Sequence, residues 1–448
     1  MPGAVRFEQS TLGPWQEAYD ANNLLLGWLI NSTDVTTQKG YSGKPLETLI
    51  GLDLSGHITG ARILKHAEPI LLVGIPPEEL SQFVAFYTGK PADARVVVGD
   101  TDDADAFQVD SISGATVTAL AQNRTIMESV RKLGEATGLL EVQAHTTGQF
   151  LQEDTPLSWQ KLLDNEVLGR LTVAQSDLGM RGQQPFMDMY FTIADAPQVG
   201  KALMPAGDYA WLMERLDPGD HLLVVLGRGS DSFKGSGFVR GGLFDRIRLN
   251  QGLRSMFFRD SDYTQLSQVP AAGAPVFKEG AAFIVREGAL DPGRSFDLVF
   301  LASHYDGKGG FSRSFREFRS THRLPKTVYH IEGPDPEAPL WHQSWKNQVP
   351  RVTVMAALYL IVAGFFCFRT WLTGSMKRLA RLHLATLIVA ALLLGFGLTV
   401  QPSVTQVLTL VGGVSGQWDW SLFLTEPVLF VSWILIAVMT LIWGRGVF

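Results

Sequence analysis

The chain has 448 residues, 46% hydrophobic and 18% charged, with 38 Lys+Arg against 44 Asp+Glu and a single Cys. One Cys excludes a disulfide framework, a Cys-ligated zinc site and an iron–sulfur cluster held by this chain alone. A formal charge of −6 and the lack of a DNA-binding motif argue against direct nucleic-acid contact.

Residues 22–98 read as mixed α and β. A strand over 25–30 ends in the loop Asn31-Ser32-Thr33-Asp34, and 46–53 with 58–66 form hairpin arms turning at Leu54-Ser55-Gly56-His57. Pro76-Pro77-Glu78-Glu79 opens a short helix to Phe86, with acids in the first turn where they suit the helix dipole. A strand over 95–98 and the acidic loop Asp102-Asp103-Ala104-Asp105 lead to Asp110-Ser111-Ile112-Ser113-Gly114-Ala115-Thr116-Val117-Thr118. Val117, Leu120, Met127, Val130 and Leu133 then follow helical spacing until Gly138.

A polar glycine turn emptying into a helix N-terminus offers free N–H groups to an anion such as phosphate. The dipole contributes only about 0.3–1 kcal/mol at an exposed site, too little to retain a scarce cofactor, so a covalent tie makes sense. A Thr hydroxyl is a poor nucleophile on its own, and no His or Cys lies in this stretch to activate it.

Asp110, Ser113, Gly114, Ala115, Thr116 and Thr118 resemble the flavinylation motif of the FMN-binding domain shared by RnfG, NqrC, NosR and NirI. The resemblance implies FMN joined through its phosphate to Thr118 by a separate flavin transferase of the ApbE type. Gly40-Tyr41-Ser42-Gly43-Lys44-Pro45 and the stretch from His66-Ala67-Glu68-Pro69 to Gly74 also resemble NosR-type proteins. In RnfG and NqrC a His-x-Glu-Thr-Pro-Gly-type segment lies near the flavin, which places His66 and Glu68 beside the isoalloxazine; a satisfied polar pair at a strand end is the equal alternative.

Residues 146–345 read as a second α+β domain, with strands over 186–193 and 222–226 and a helix over 159–168. The Gly-rich segment 227–242 lacks P-loop spacing and reads as a long hairpin loop; it too resembles the NosR family, which implies a structural or docking role. Nine scattered His give no metal signal, and Met187 and Met189 share a strand face where core packing is the usual explanation for such a pair. Arg313, Arg316, Arg319 and Arg323, with Phe315 and Phe318, suggest a solvated amphipathic helix able to dock an acidic partner or lipid headgroups.

Three apolar runs, near 352–370, 383–400 and 422–443, flanked by Trp341, Trp345, Trp371, Trp418, Trp420 and Trp443, suggest three membrane spans. Arg369, Lys377, Arg378 and Arg381 between the first two, and Arg445 after the third, put that loop and the C-terminus in the cytoplasm. The N-terminal region then faces the periplasm from a bacterial inner membrane. Glu426 is expected at the outer end of its span, with an intramembrane functional group as the alternative. The opening MPGAVRFEQS carries no leader, so either the record starts after it or the start site is misassigned.

The expected architecture is therefore an α+β periplasmic region followed by an all-α bundle of three transmembrane helices. Its parts are an FMN-binding domain (1–145), a second α+β domain (146–345) and the membrane domain (346–448). The resemblance implies a membrane-anchored flavoprotein that passes electrons to nitrous oxide reductase or aids its maturation. A redox sensor regulating nitrous oxide or nitrite reductase genes is the alternative, and a flavin-free ectodomain the bland one. NosR-type proteins continue into Cys-rich iron–sulfur parts, so a fragment, a frameshifted copy or half of a split system is expected, with no iron–sulfur cluster in this chain.

Overall fold

The computed structural model describes all residues except 37, 41, 70–73, 113–114, 143–144, 236–242, 287, 306–312, 369–373, 391, 393–425, 429 and 435–448. The chain divides into two compact units, Met1–Gly333 and Pro334–Phe448.

The first unit opens with an antiparallel meander of β1 (Arg6–Gln9), β2 (Trp15–Tyr19), β3 (Leu25–Asn31), β4 (Glu47–Asp53) and β5 (Ile58–Lys65). Turn chemistry sets its register. Asp53 Oδ1 accepts the N–H groups of Ser55 and His57 at 2.9 Å each, and Gly56 supplies the left-handed residue at φ +79°. Between β3 and β4 the expected loop is a single helical turn, α1 (Ser32–Val35), which Asn31 caps.

After β5 come α2 (Pro77–Ala85), β6 (Val96–Val98), β7 (Asp100–Thr101), β8 (Phe107–Val109) and α3 (Thr116–Thr137). Pro77 starts α2 where its missing N–H costs nothing, and Gly138, at φ +75°, ends α3. One face of the meander, through Trp28, Ile30, Ile50 and Leu52, shares a core with Leu80 and Phe83 of α2 and Ile126, Val130 and Leu133 of α3.

The rest of the unit is two five-stranded sheets around one apolar core. Its elements in order are β9 (Gly148–Phe150), α4 (Trp159–Asp164), β10 (Gly169–Val173), β11 (Met187–Ile193), α5 (Pro197–Leu203), α6 (Ala206–Met213) and β12 (His221–Arg228). Then follow β13 (Leu243–Gln251), β14 (Arg254–Arg259), β15 (Tyr263–Gln265), β16 (Glu279–Val285), β17 (Phe296–Tyr305), β18 (Arg313–His322) and β19 (Tyr329–Ile331). The sheets run β10-β11-β12-β16-β15 and β14-β13-β17-β18-β7. Met187 and Met189 are fully buried in that core.

Two expectations about this part are corrected. The arginine-rich segment is not a helix but β18, paired along its length with β17 from Phe296↔His322 to Tyr305↔Arg313. Its every-third arginines mimic a helical face, yet the alternation that matters is set by the partner strand. The Gly-rich segment is not a hairpin loop, because β12 and β13 lie in different sheets; residues 236–242 of it fall outside the described ones.

β7 leaves the first part of the unit to pair in parallel with β18, so a strand from beside the FMN motif completes the second sheet. Arg95 binds Asp103 at 2.7 Å and Glu317 of β18 at 3.1 Å, and Arg248 binds the other Glu317 oxygen. Arg131 of α3 donates to Ala94 O at 2.9 Å and to Leu253 O, while Arg124 stacks on Phe257 at 3.2 Å. Burial pushes the Arg131 guanidinium down to about 10.

His322 sits edge-on to Phe191 and Phe296, its Nε2 3.1 Å from Val167 O, and burial lowers its pKa to about 4. The unfolded chain takes that proton near pH 6.5 and the folded chain only near 4. Stability is thus complete above 6.5 and is lost as pH falls through the window between them, by about 2–3 kcal/mol at this site. Urea unfolding at pH 7.5 and 4.5 should show His322→Gln losing less stability on acidification than the parent; equal losses would count against the buried neutral ring.

In the second unit the three-helix transmembrane bundle is corrected. Among the described residues no helix is long and apolar enough to cross a membrane. The first helix, α7 (Leu340–Cys367), opens polar and carries Lys346, Pro350 and Arg351 before its apolar run. The second, α8 (Met376–Ala390), contains Lys377, Arg378 and Arg381. The third run lies outside the described residues except 426–428 and 430–434, where Glu426 is exposed.

Candidate functional site

The site is built where α3 begins. Ala115 is the N-cap, and it has no side-chain oxygen with which to satisfy the first amides of a 22-residue helix. Thr116, Val117 and Thr118 are therefore the first three helical residues, at the end of the dipole that favours an anion.

Thr118 points inward and is 1% exposed. Its Oγ1 donates to Glu68 Oε2 at 2.5 Å, and the Ser42 N–H donates to Glu68 Oε1 at 3.0 Å. Glu68 is itself 5% exposed. A Cβ on Gly40 would lie 2.4 Å from Glu68 Oε1 and 2.6 Å from its Cδ, so glycine there leaves the carboxylate its place. His66 lies two residues earlier, half-buried, and its Nδ1 is buried with no hydrogen-bond partner among the described residues.

Below Thr118 the same face of α3 carries Gln122, Thr125 and Ser129, all buried. Gln122 Nε2 donates to Thr48 Oγ1 at 2.9 Å, and the Thr48 N–H donates to Ser32 Oγ at 2.9 Å. Thr125 and Ser129 return their hydroxyls to the carbonyls of Ala121 and Thr125. Every hydroxyl in this stripe is thereby satisfied within the fold, which ties α3 to α1 and β4 beside the site.

The structure brings Thr118 and Glu68 together and leaves Asp110 exposed. Ala115 is buried at the N-cap, Ser113 and Gly114 lie outside the described residues, and of Thr116 only the helical backbone is described. Gly40, Ser42, Thr48 and Gln122 are neighbours that reading the sequence did not assign. Only the family-like Gly40–Pro45 stretch hinted at the first two.

The chemistry of these groups fits an FMN phosphate: a hydroxyl nucleophile, a carboxylate bonded to it, helix amides that Ala115 does not cap and, two residues before Glu68, an imidazole nitrogen with no partner among the described residues. Among the described residues no cluster of His, Cys, Asp or Glu could hold a metal ion.

Residues 40–131 match the FMN-binding domain family, a stretch that holds Gly40, Ser42, Glu68 and Thr118. The first part of the chain is thus an FMN-binding domain. Over 94% of its length the chain is 36% identical to "Regulatory protein NosR" of Pseudomonas aeruginosa, of which it covers 63%. It is 35% identical to the protein of the same name from Stutzerimonas stutzeri, across 95% of this chain and 62% of that one. It is 31% identical to "Protein NirI" of Paracoccus denitrificans, again across 95% and 62%. The chain is thus similar to NosR and NirI proteins along nearly all of its own length and spans 62–63% of the length of these relatives. The crystal structure of Shewanella oneidensis NqrC matches 31% of this chain and 71% of its own at 16% identity, with a TM-score of 0.19, too slight a likeness to define a fold.

Proposed function

We propose that Thr118 carries FMN through a phosphoester installed by an ApbE-type flavin transferase, and that the flavoprotein passes electrons to nitrous oxide reductase or supports its maturation. The observation that carries this reading is the buried Thr118 hydroxyl in the uncapped first turn of α3, hydrogen-bonded to a carboxylate inside a matched FMN-binding domain.

When bound, the flavin supplies the redox chemistry. The chain's own residues do the rest. The amides at the start of α3 hold the phosphate, worth about 0.3–1 kcal/mol at an exposed helix end and up to about 2 when partly buried. Burial of Thr118 keeps water from the ester, and the paired stripe beneath it keeps the helix from shifting. His66, whose buried Nδ1 has no hydrogen-bond partner among the described residues, would offer that nitrogen to a polar atom of the cofactor.

A second reading, regulation of reductase genes with flavin oxidation state as the signal, is favoured by the name "Regulatory protein NosR" that two relatives carry. One experiment separates the two. In a deletion strain complemented with Thr118→Ala, the redox reading expects N₂O reduction to fail while reductase transcript stays normal. A fall in transcript with reduction per reductase unchanged would support regulation instead.

A further inference from the structure

We infer that Glu68 takes the Thr118 proton when the flavin phosphate is attached, an inference that rests on Thr118 being the attachment residue. A threonine hydroxyl needs a base within hydrogen-bond reach, and Glu68 Oε2 is 2.5 Å from Oγ1. The two groups are 50 residues apart in sequence, so the acceptor missing from the motif itself is supplied by the fold.

The carboxylate is held for this use. Ser42 N–H fixes Oε1 at 3.0 Å, leaving Oε2 for the hydroxyl, and Gly40 leaves room for both oxygens.

The donor is a flavin adenine dinucleotide presented with a divalent cation by the transferase. Thr118 Oγ1 attacks the phosphorus of its FMN half. The Oγ1–P bond forms, the pyrophosphate P–O bond breaks, and AMP leaves with that electron pair. The hydroxyl proton passes to Glu68 and from there to solvent, and nothing is oxidised or reduced.

The test is the rate of flavin attachment to the full chain, followed by intact mass with purified transferase, FAD and Mg²⁺. Glu68→Gln keeps the volume and a hydrogen-bond acceptor but cannot take the proton; attachment should slow by about 100-fold or more, with Glu68→Asp retaining part of the rate. Gly40→Ala, whose Cβ displaces the carboxylate, should also slow attachment, and it carries the test if Glu68→Gln does not fold. A folded Glu68→Gln chain labelled within about 3-fold of the parent overturns the inference, as does an equally fast Gly40→Ala chain where it carries the test. Peptide mapping of the parent separates the two levels. FMN on another residue overturns the attachment reading as well, whereas FMN on Thr118 with a fast Glu68→Gln chain overturns the role of Glu68 alone.

Discussion

A Thr118→Ala chain matured beside the flavin transferase is expected to stay dark under in-gel flavin fluorescence, where the parent band is bright. The effect is all or none, because the substitution deletes the only atom that the reading allows to bond the phosphate. Thr118→Ser is the informative control. It keeps the hydroxyl that donates to Glu68 and should keep fluorescence, while Thr116→Ala should leave the band bright. Loss of the buried hydroxyl leaves the facing carboxylate oxygen one donor short, which costs about 1–3 kcal/mol, so a thermal midpoint should accompany each band. A bright Thr118→Ala band would remove Thr118 from the site.

The second large effect concerns what holds the FMN-binding domain against the rest of the first unit. Glu317, with its side chain 2% exposed, accepts from Arg95 at 3.1 Å and from Arg248. Glu317→Ala strands Arg248 beside Arg124, which already feels its like charge, although Arg95 retains Asp103 at 2.7 Å. Breaking a buried pair from one side costs about 3–5 kcal/mol, and the surviving Asp103 bond puts this case near the lower end. Urea unfolding at pH 7 should report it as a fall in midpoint. Replacing Arg248 and Glu317 together by Met should recover much of the loss, because no buried charge is left uncompensated. A Glu317→Ala loss below about 1 kcal/mol would mean that the network is solvated.

Much of the FMN-binding part could be read from local pattern. The β4–β5 hairpin announces itself through Asp53-Leu54-Ser55-Gly56-His57, and α3 through apolar spacing closed by Gly138. These are short-range signals: a turn residue, a cap, a period. β1 and β2 have too few apolar residues to declare themselves, and they are strands because β3 offers an edge. β18 shows the opposite case, a segment whose arginine spacing suggests one structure while its partner strand imposes another. The apolar C-terminal runs differ in a third way, since among the described residues they lie in no helix long and apolar enough to cross a membrane. A charge-free stretch shows that residues avoid water, but it does not show that the helix containing them is long and apolar enough to cross a membrane.

The site divides along the same line. Thr118 was legible because its motif is contiguous. Its bond to Glu68 was not, since a hydrogen bond between residues 50 apart leaves no periodic trace. Glu68 was singled out only through its resemblance to a segment that lies near the flavin, and the structure adds that its carboxylate accepts from the Thr118 hydroxyl. Gln122, which reads as one polar residue on an amphipathic helix, lies inward and binds Thr48.

The most direct measurement is fragment-ion mapping of the peptide spanning residues 111–124, taken from protein matured with the flavin transferase and FAD. The account predicts the added mass of one phosphoester-linked FMN on Thr118. That mass on Thr116 or Ser113, or an unmodified peptide from a preparation in which a known target is fully labelled, would contradict it.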